Sequence, residues 1–146
     1  MSGKEQDFIK EAFDTNWVVP LGPNVNAFEK SLQDFLIENG KLKIENEGKQ
    51  VVALSAGTAA LHLGLILLGV QAGDEVICQS FTFCASANPV TYLGATAVFV
   101  DSEEDTWNMN PVLLEEAIRD RIAKTGREPK AIIPVHLYGM PAKMDE

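Results

Sequence analysis

Apolar positions recur at helical spacing through the first forty residues, then give way from residue 51 to short β-branched runs separated by helical stretches. Phe8, Ile9, Ala12 and Phe13 share one face and predict an amphipathic helix over residues 5–14. WVVPLGPN, with two prolines and a glycine, must run extended or turn, because proline removes a donor and pushes the residue before it out of the helical region. Asn24 or Asn26 then caps a second helix carrying Phe28, Leu32, Phe35 and Leu36 on one face through Glu38, with Gly40 as its stop. GKLKIENEGK is polar and predicts a surface loop or a hairpin.

VVAL, EVICQ, TAVFV and AIIPVHL read as four strands, and helical patterns over residues 58–68, 86–93 and 111–123 separate them. This alternation predicts βαβ units in an α/β fold of three layers: a mostly parallel sheet with helices on both faces. Gly69 closes the first of these helices, and AGDEV turns the chain into the next strand. The last helix has a clear start, with Asn110 as N-cap, Pro111 at the first helical position, and Glu115 and Glu116 near the positive end of the helix dipole.

Composition narrows the function classes. A chain of 146 residues, 46% hydrophobic, can bury the core of one globular domain. Its formal charge of −9, without clustered Lys or Arg, argues against nucleic-acid or anionic-membrane binding and favours a small-molecule or protein partner. The longest apolar run, ALHLGLILLGV, is too short to cross a bilayer and is broken by His62 and Gly64. Cys78 and Cys84 lack metal-type spacing and follow no signal peptide, so the expectation is a reduced cytoplasmic protein, in which a single buried cysteine is most often core filler. The end at AKMDE, where a new helix starts after AIIPVHL, reads as the edge of a piece of a longer protein.

The candidate chemistry lies at strand ends. If VVAL is a strand and Thr58 opens a helix, SAGTAAL is a phosphate cradle: Gly57 takes a tight backbone geometry and the amides of Gly57, Thr58 and Ala59 point outward together. The sequence is neither the Walker nor the dinucleotide fingerprint, and for the tripeptide by itself a plain helix cap by Ser55 or Thr58 is the simpler reading. Phe81, Thr82 and Phe83 follow the end of EVICQ, the edge where open α/β sheets bind ligands. One of the two aromatics can stack on a flat ring while the other packs inward. His136 ends the fourth predicted strand at that same edge, whereas His62 lies inside an apolar helix and is expected to satisfy a core hydrogen bond. Asp101 also ends a strand, and SEEDTW after it reads as a solvated acidic loop. No metal-ligating cluster is expected.

LSAGTAALHLGL, AGDEVICQSFTFCASANPV, GATAVFVDSEEDTWNMNP and IIPVHLYGMPAKMDE, in this order and spacing, resemble the amino-terminal part of the DegT/DnrJ/EryC1/StrS family of sugar aminotransferases of fold type I; NWVVPLGPNVNAFEKSL is similar to the family's opening segment. The resemblance covers nearly the whole chain. It implies an amino-terminal helical segment over residues 1–50 and, over 51–146, the first part of a large domain that binds pyridoxal 5'-phosphate. It implies that Gly57 and Thr58 hold the cofactor phosphate, with Ala56 where the family commonly has Ser, and that Phe83 stacks on the pyridine ring. His136 joins them as a candidate cofactor contact. Trp17 and Gly22 are implied near the sugar, in relatives often at the neighbouring subunit's site, within a homodimer.

A nucleotide-linked keto sugar and an amino-acid donor, glutamate in relatives, are the implied partners. The family places the Schiff-base lysine and the acid that keeps the pyridine nitrogen protonated further along, and no lysine here has a desolvated setting; no catalytic residue is therefore assigned, and residues 1–146 alone are expected not to transaminate. In fold type I the VVAL strand pairs with a strand from late in the large domain, so it is expected to lack its neighbour. Two other readings stay open: a pyridoxamine-phosphate-dependent sugar dehydratase of the same family, and a non-catalytic module that binds a phosphorylated ligand.

Overall fold

Residues 2–40 and 51–146 are described in the computed structural model, and they fall into two compact units, Met1–Ala53 and Leu54–Glu146. The loop or hairpin expected after Gly40 lies outside the described residues.

In the first unit, α1 spans Glu5–Asp14, the span its periodicity predicts. Helix α2 (Pro23–Glu38) starts before either expected asparagine cap: Gly22 is the N-cap residue and Pro23 the first helical position. Proline's fixed φ suits that position, and its missing N–H is one that the first turn leaves without a partner anyway. Gly22 sits at φ 156°, ψ −178°, a region open essentially to glycine, and a Cβ there would lie 3.2 Å from Cε3 of Trp17. VVAL is not a strand: residues 51–54 pair with no neighbour among the described residues, and the Ala53 amide donates instead to Oε1 of buried Glu29 at 3.0 Å.

The second unit runs α3 (Gly57–Leu67), β1 (Glu75–Gln79), a 3-10 turn (Cys84–Ser86), α4 (Asn88–Tyr92), β2 (Thr96–Val100), α5 (Pro111–Thr125), β3 (Ala131–Ile133) and a second 3-10 turn (Leu137–Gly139). The three strands are parallel in the order β2-β1-β3, with Ile77 beside Val98 on one side and Ile132 on the other. AIIPVHL gives only three strand residues because Pro134 has no N–H for the ladder. Successive side chains of β1 alternate between faces. Val76 and Cys78 pack with Leu65, Val90 and Ile133 on the α3/α4 side, while Ile77 packs with Val100, Met109 and Ile118 on the α5 side. The predicted three layers are thus present. Val76 and Ile77 are fully buried, each contributing about 1.5–3 kcal/mol.

Helix α5 is capped as expected: Oδ1 of Asn110 accepts from the amides of Val112 at 2.9 Å and Leu113 at 3.3 Å. Its far end is tied to the start of β1, where Arg121 Nε and a terminal nitrogen donate to the two Glu75 oxygens at 2.9 and 2.7 Å. Of the two cysteines only Cys78 is core, its thiol pKa pushed up to about 11 by burial, while Cys84 is exposed on the turn after β1. Among the described residues no helix is long and apolar enough to cross a membrane.

Candidate functional site

Parallel strands deliver all their carboxyl ends to one edge of the sheet. There the mouth of α3 and the segments after β1 and β3 enclose a cleft of about 850 Å³, lined by Gly57, Thr58, Phe81, Phe83, Leu137 and Tyr138 among others. Five of the residues singled out from the sequence, Gly57, Thr58, Phe81, Thr82 and Phe83, therefore share one cavity.

At the helix mouth, Ala56 occupies the N-cap position and no side chain caps the helix, so neither Ser55 nor Thr58 has that role. The Ala59 amide, expected to be open, donates to the Ala56 carbonyl at 3.0 Å. The amides of Gly57 and Thr58 find no acceptor among the described residues, and no carboxylate sits in the first turn to balance the positive end of the dipole. Gly57 does not adopt the tight geometry expected of it; instead, a Cβ there would meet nothing within 4 Å. The fold itself does not require glycine at this point, and the space its missing side chain keeps clear borders the cleft.

Neither aromatic of the next loop packs inward. Phe83 is 78% exposed, and the half-exposed Phe81 meets Trp107 edge to face, with ring centroids 6.0 Å apart. The strand alternation that would have buried one of them ends at Gln79, and the loop is held by a 2.8 Å hydrogen bond between the Thr82 and Ser86 hydroxyls and by the Ser86 amide donating to the Phe83 carbonyl at 3.0 Å.

The cleft rests on a buried polar network that the sequence reading missed. Gln79, fully buried, donates through Nε2 to the carbonyls of Phe81 at 2.8 Å and Trp107 at 3.3 Å, and accepts from the Met109 amide at 2.9 Å. Asn108, also fully buried, accepts from the Leu137 amide at 2.9 Å and donates to the Met140 carbonyl at 2.9 Å. SEEDTW is not merely a solvated loop. Glu103 is buried and accepts from the Thr106 hydroxyl and from the amides of Asp105 and Thr106, at 2.7 and 2.9 Å, with Lys143 Nζ at 3.5 Å. The Thr106 hydroxyl first, and then those amides and Lys143, pull its pKa down to about 2. The available signals were a Gln closing an apolar strand and an Asn inside TWNM, both polar residues where the pattern calls for burial.

The remaining candidates are not among the residues that line this cavity. His136 does not end a strand, since β3 stops at Ile133; it is exposed, lies between the lining residues Val135 and Leu137, and its Nδ1 accepts from the Ala142 amide at 3.0 Å. His62 is half-buried and, in place of the expected core hydrogen bond, meets the Tyr92 ring edge to face at 5.5 Å. Asp101 accepts from the Ser80 hydroxyl at 3.3 Å and the Ser102 amide at 2.8 Å. Trp17 and Gly22 line a cleft of about 400 Å³ within the first unit. A groove of about 710 Å³ beside α5 is lined mainly by aliphatic residues, with Glu115 and Glu146 among its charges, and does not suit an anionic ligand.

An edge-of-sheet cleft with a helix mouth and an exposed ring is the arrangement the sequence resemblance implied. The family model for DegT/DnrJ/EryC1/StrS aminotransferases matches residues 1–146. The chain belongs to this family. Among curated relatives it is 52% identical to EpsN of Bacillus subtilis, named as a pyridoxal phosphate-dependent aminotransferase, over 100% of this chain and 35% of that protein. It is 41% identical to a GDP-perosamine synthase of Caulobacter vibrioides, over 99% of this chain and 34% of that one. It is 42% identical to a UDP-2-acetamido-2-deoxy-3-oxo-D-glucuronate aminotransferase of Pseudomonas aeruginosa, over 86% and 30%. Among solved structures, a family aminotransferase from Brucella abortus superposes with a TM-score of 0.79 at 38% identity, covering 96% of this chain and 35% of that one. A Streptococcus pneumoniae sugar aminotransferase in its PLP form gives 0.69 at 34% identity, covering 94% and 31%. The chain thus spans about a third of the length of the relatives it matches. The cofactor of the family is pyridoxal phosphate or its pyridoxamine form.

Proposed function

We propose that residues 1–146 supply the phosphate- and ring-binding part of a pyridoxal-phosphate aminotransferase that acts on a nucleotide-linked keto sugar, with an amino acid as donor. One observation carries this reading: two amides at a helix mouth, without an acceptor among the described residues, and an exposed phenylalanine open onto the same cleft. The Gly57 and Thr58 N–H groups and the Thr58 hydroxyl would hold the phosphate dianion at the positive end of α3. The Phe83 ring would lie on the pyridine, and the aliphatic wall formed by Leu61 and Val135 would keep water from it. When bound, the cofactor supplies an electron sink that stabilises negative charge beside the transferred nitrogen. His136 ties the 136–142 segment through its Nδ1, which accepts from the Ala142 amide, and its ring face and Nε2 would be left for a contact with the cofactor. Among the described residues no lysine lines the cleft, so the covalent lysine comes from elsewhere in the whole protein.

The names of the Caulobacter and Pseudomonas relatives, which carry GDP- and UDP-linked sugars, support the nucleotide-linked substrate. A homodimer in which Trp17 and Gly22 approach the sugar belongs to the same proposal. Pyridoxal phosphate titrated into the whole protein should give a new absorbance band that inorganic phosphate weakens by competition and borohydride fixes onto one lysine. Gly57→Asp, which places a carboxylate at a helix mouth that favours it, should keep the thermal midpoint and lose most cofactor affinity. Undiminished affinity in that variant would refute the assignment of the phosphate site.

A further inference from the structure

Tyr138 is 98% exposed and adopts φ 50°, ψ 26°, the left-handed region where a Cβ crowds the backbone and glycine does not. Neither property serves the fold: an exposed phenol buries no apolar surface, and the backbone conformation is one that a tyrosine resists. What holds it there is Asn108. That buried amide accepts from the N–H of Leu137, the residue before Tyr138, and donates to the carbonyl of Met140, two residues after it, so the two bonds bracket the tyrosine. Asn108 is anchored in turn by its Nδ2 donating to the Thr106 hydroxyl at 3.0 Å, and both its neighbours are tied to Gln79 through the Trp107 carbonyl and the Met109 amide. Gln79 also holds the Phe81 carbonyl, in the loop that carries Phe83. One pair of buried amides therefore sets both Tyr138 and the Phe83 loop at the mouth of α3. Strained backbone held in place by its surroundings is characteristic of ligand sites.

We infer that Tyr138 is a cofactor-contacting residue and that Asn108 is the positioning residue that presents it: the phenol stands in the same cleft as Gly57, Thr58 and Phe83 and contacts the bound pyridoxal phosphate. This rests on the reading of that cleft as the cofactor site. Its chemistry is that of an aromatic face with a phenolic O–H donor, suited to a flat, anionic, hydrogen-bond-accepting ligand.

The test uses the whole protein and two readouts independent of turnover: the thermal midpoint of the cofactor-free form and the dissociation constant for pyridoxal phosphate by absorbance. Tyr138→Gly should raise the midpoint, because glycine takes the left-handed conformation freely. The same change should weaken cofactor binding about tenfold, the scale of one lost hydrogen bond or ring contact. These opposite signs mark a residue kept for the ligand against the preference of the fold. Asn108→Ala should lower the midpoint and weaken binding in the Tyr138 background, yet weaken it no further in the Tyr138→Gly background. Cofactor affinity unchanged within twofold in Tyr138→Gly overturns the assignment, and a full additional loss from Asn108→Ala in that background overturns the positioning role. Should Asn108→Ala not fold, Tyr138→Gly decides alone. Absence of pyridoxal phosphate binding in the unmodified protein would instead defeat the cofactor reading itself, and this inference with it.

Discussion

Gln79→Glu isolates the buried network that supports the cleft. The substitution keeps shape and volume and leaves one oxygen to accept from the Met109 amide, but it replaces the nitrogen that donates to two carbonyls. An ionised carboxylate would then hold an oxygen at about 2.8 Å from the Phe81 carbonyl oxygen, fully buried and without a cation among its hydrogen-bond partners. A protonated carboxyl can donate to that carbonyl and restore the bond. Burial and repulsion both disfavour the charged form, so the pKa of the introduced group should rise by roughly 2–3 units above an ordinary Glu. Each unit is worth about 1.4 kcal/mol. The sign follows from linkage: a carboxyl with a raised folded-state pKa is tolerated below its unfolded value near 4.3, and stability falls as pH climbs from there through the folded value. The variant should therefore match the parent near pH 4.5 and be about 3–4 kcal/mol less stable at pH 8. Urea unfolding followed by circular dichroism at half-unit steps from pH 4.5 to 8 measures this directly. A constant difference between the two proteins across that range would refute the claim that Gln79 must donate where the structure places it.

Other outcomes follow from separate parts of the molecule. Because Glu103 has its pKa lowered to about 2 from an ordinary 4.5, the stability it contributes is complete above pH 4.5 and is lost as pH falls toward 2; Glu103→Gln should flatten that part of the acid-unfolding curve. In native protein a thiol reagent should label Cys84 rapidly, whereas Cys78, buried and with its pKa near 11, should react only on unfolding; two equally fast thiols would contradict the packing of β1. Asn110→Ala removes the acceptor for two amides at the start of α5 and should lower stability by about 1 kcal/mol, with Asn110→Ser restoring most of it.

Much of the architecture was legible from local pattern because local forces set it. The Pro111 start of α5 with its Asn110 cap, the apolar core of β1 and the period of α1 depend on near neighbours and on which face is apolar, and the structure agrees with each. The Gly57 and Thr58 mouth and the aromatic after β1 were readable for a related reason: parallel topology alone sends them to one edge. Tertiary structure decided what depends on distant partners. VVAL has every local mark of a strand, but a strand exists only beside another. The partners of Gln79 and Asn108 lie up to 32 positions away, and buried Glu103, whose hydrogen bonds come from Asp105 and Thr106, meets its cation only in Lys143, far along the chain. The left-handed backbone of Tyr138 is likewise imposed by a side chain thirty residues away, which overrides an intrinsic preference of only about 1–2 kcal/mol.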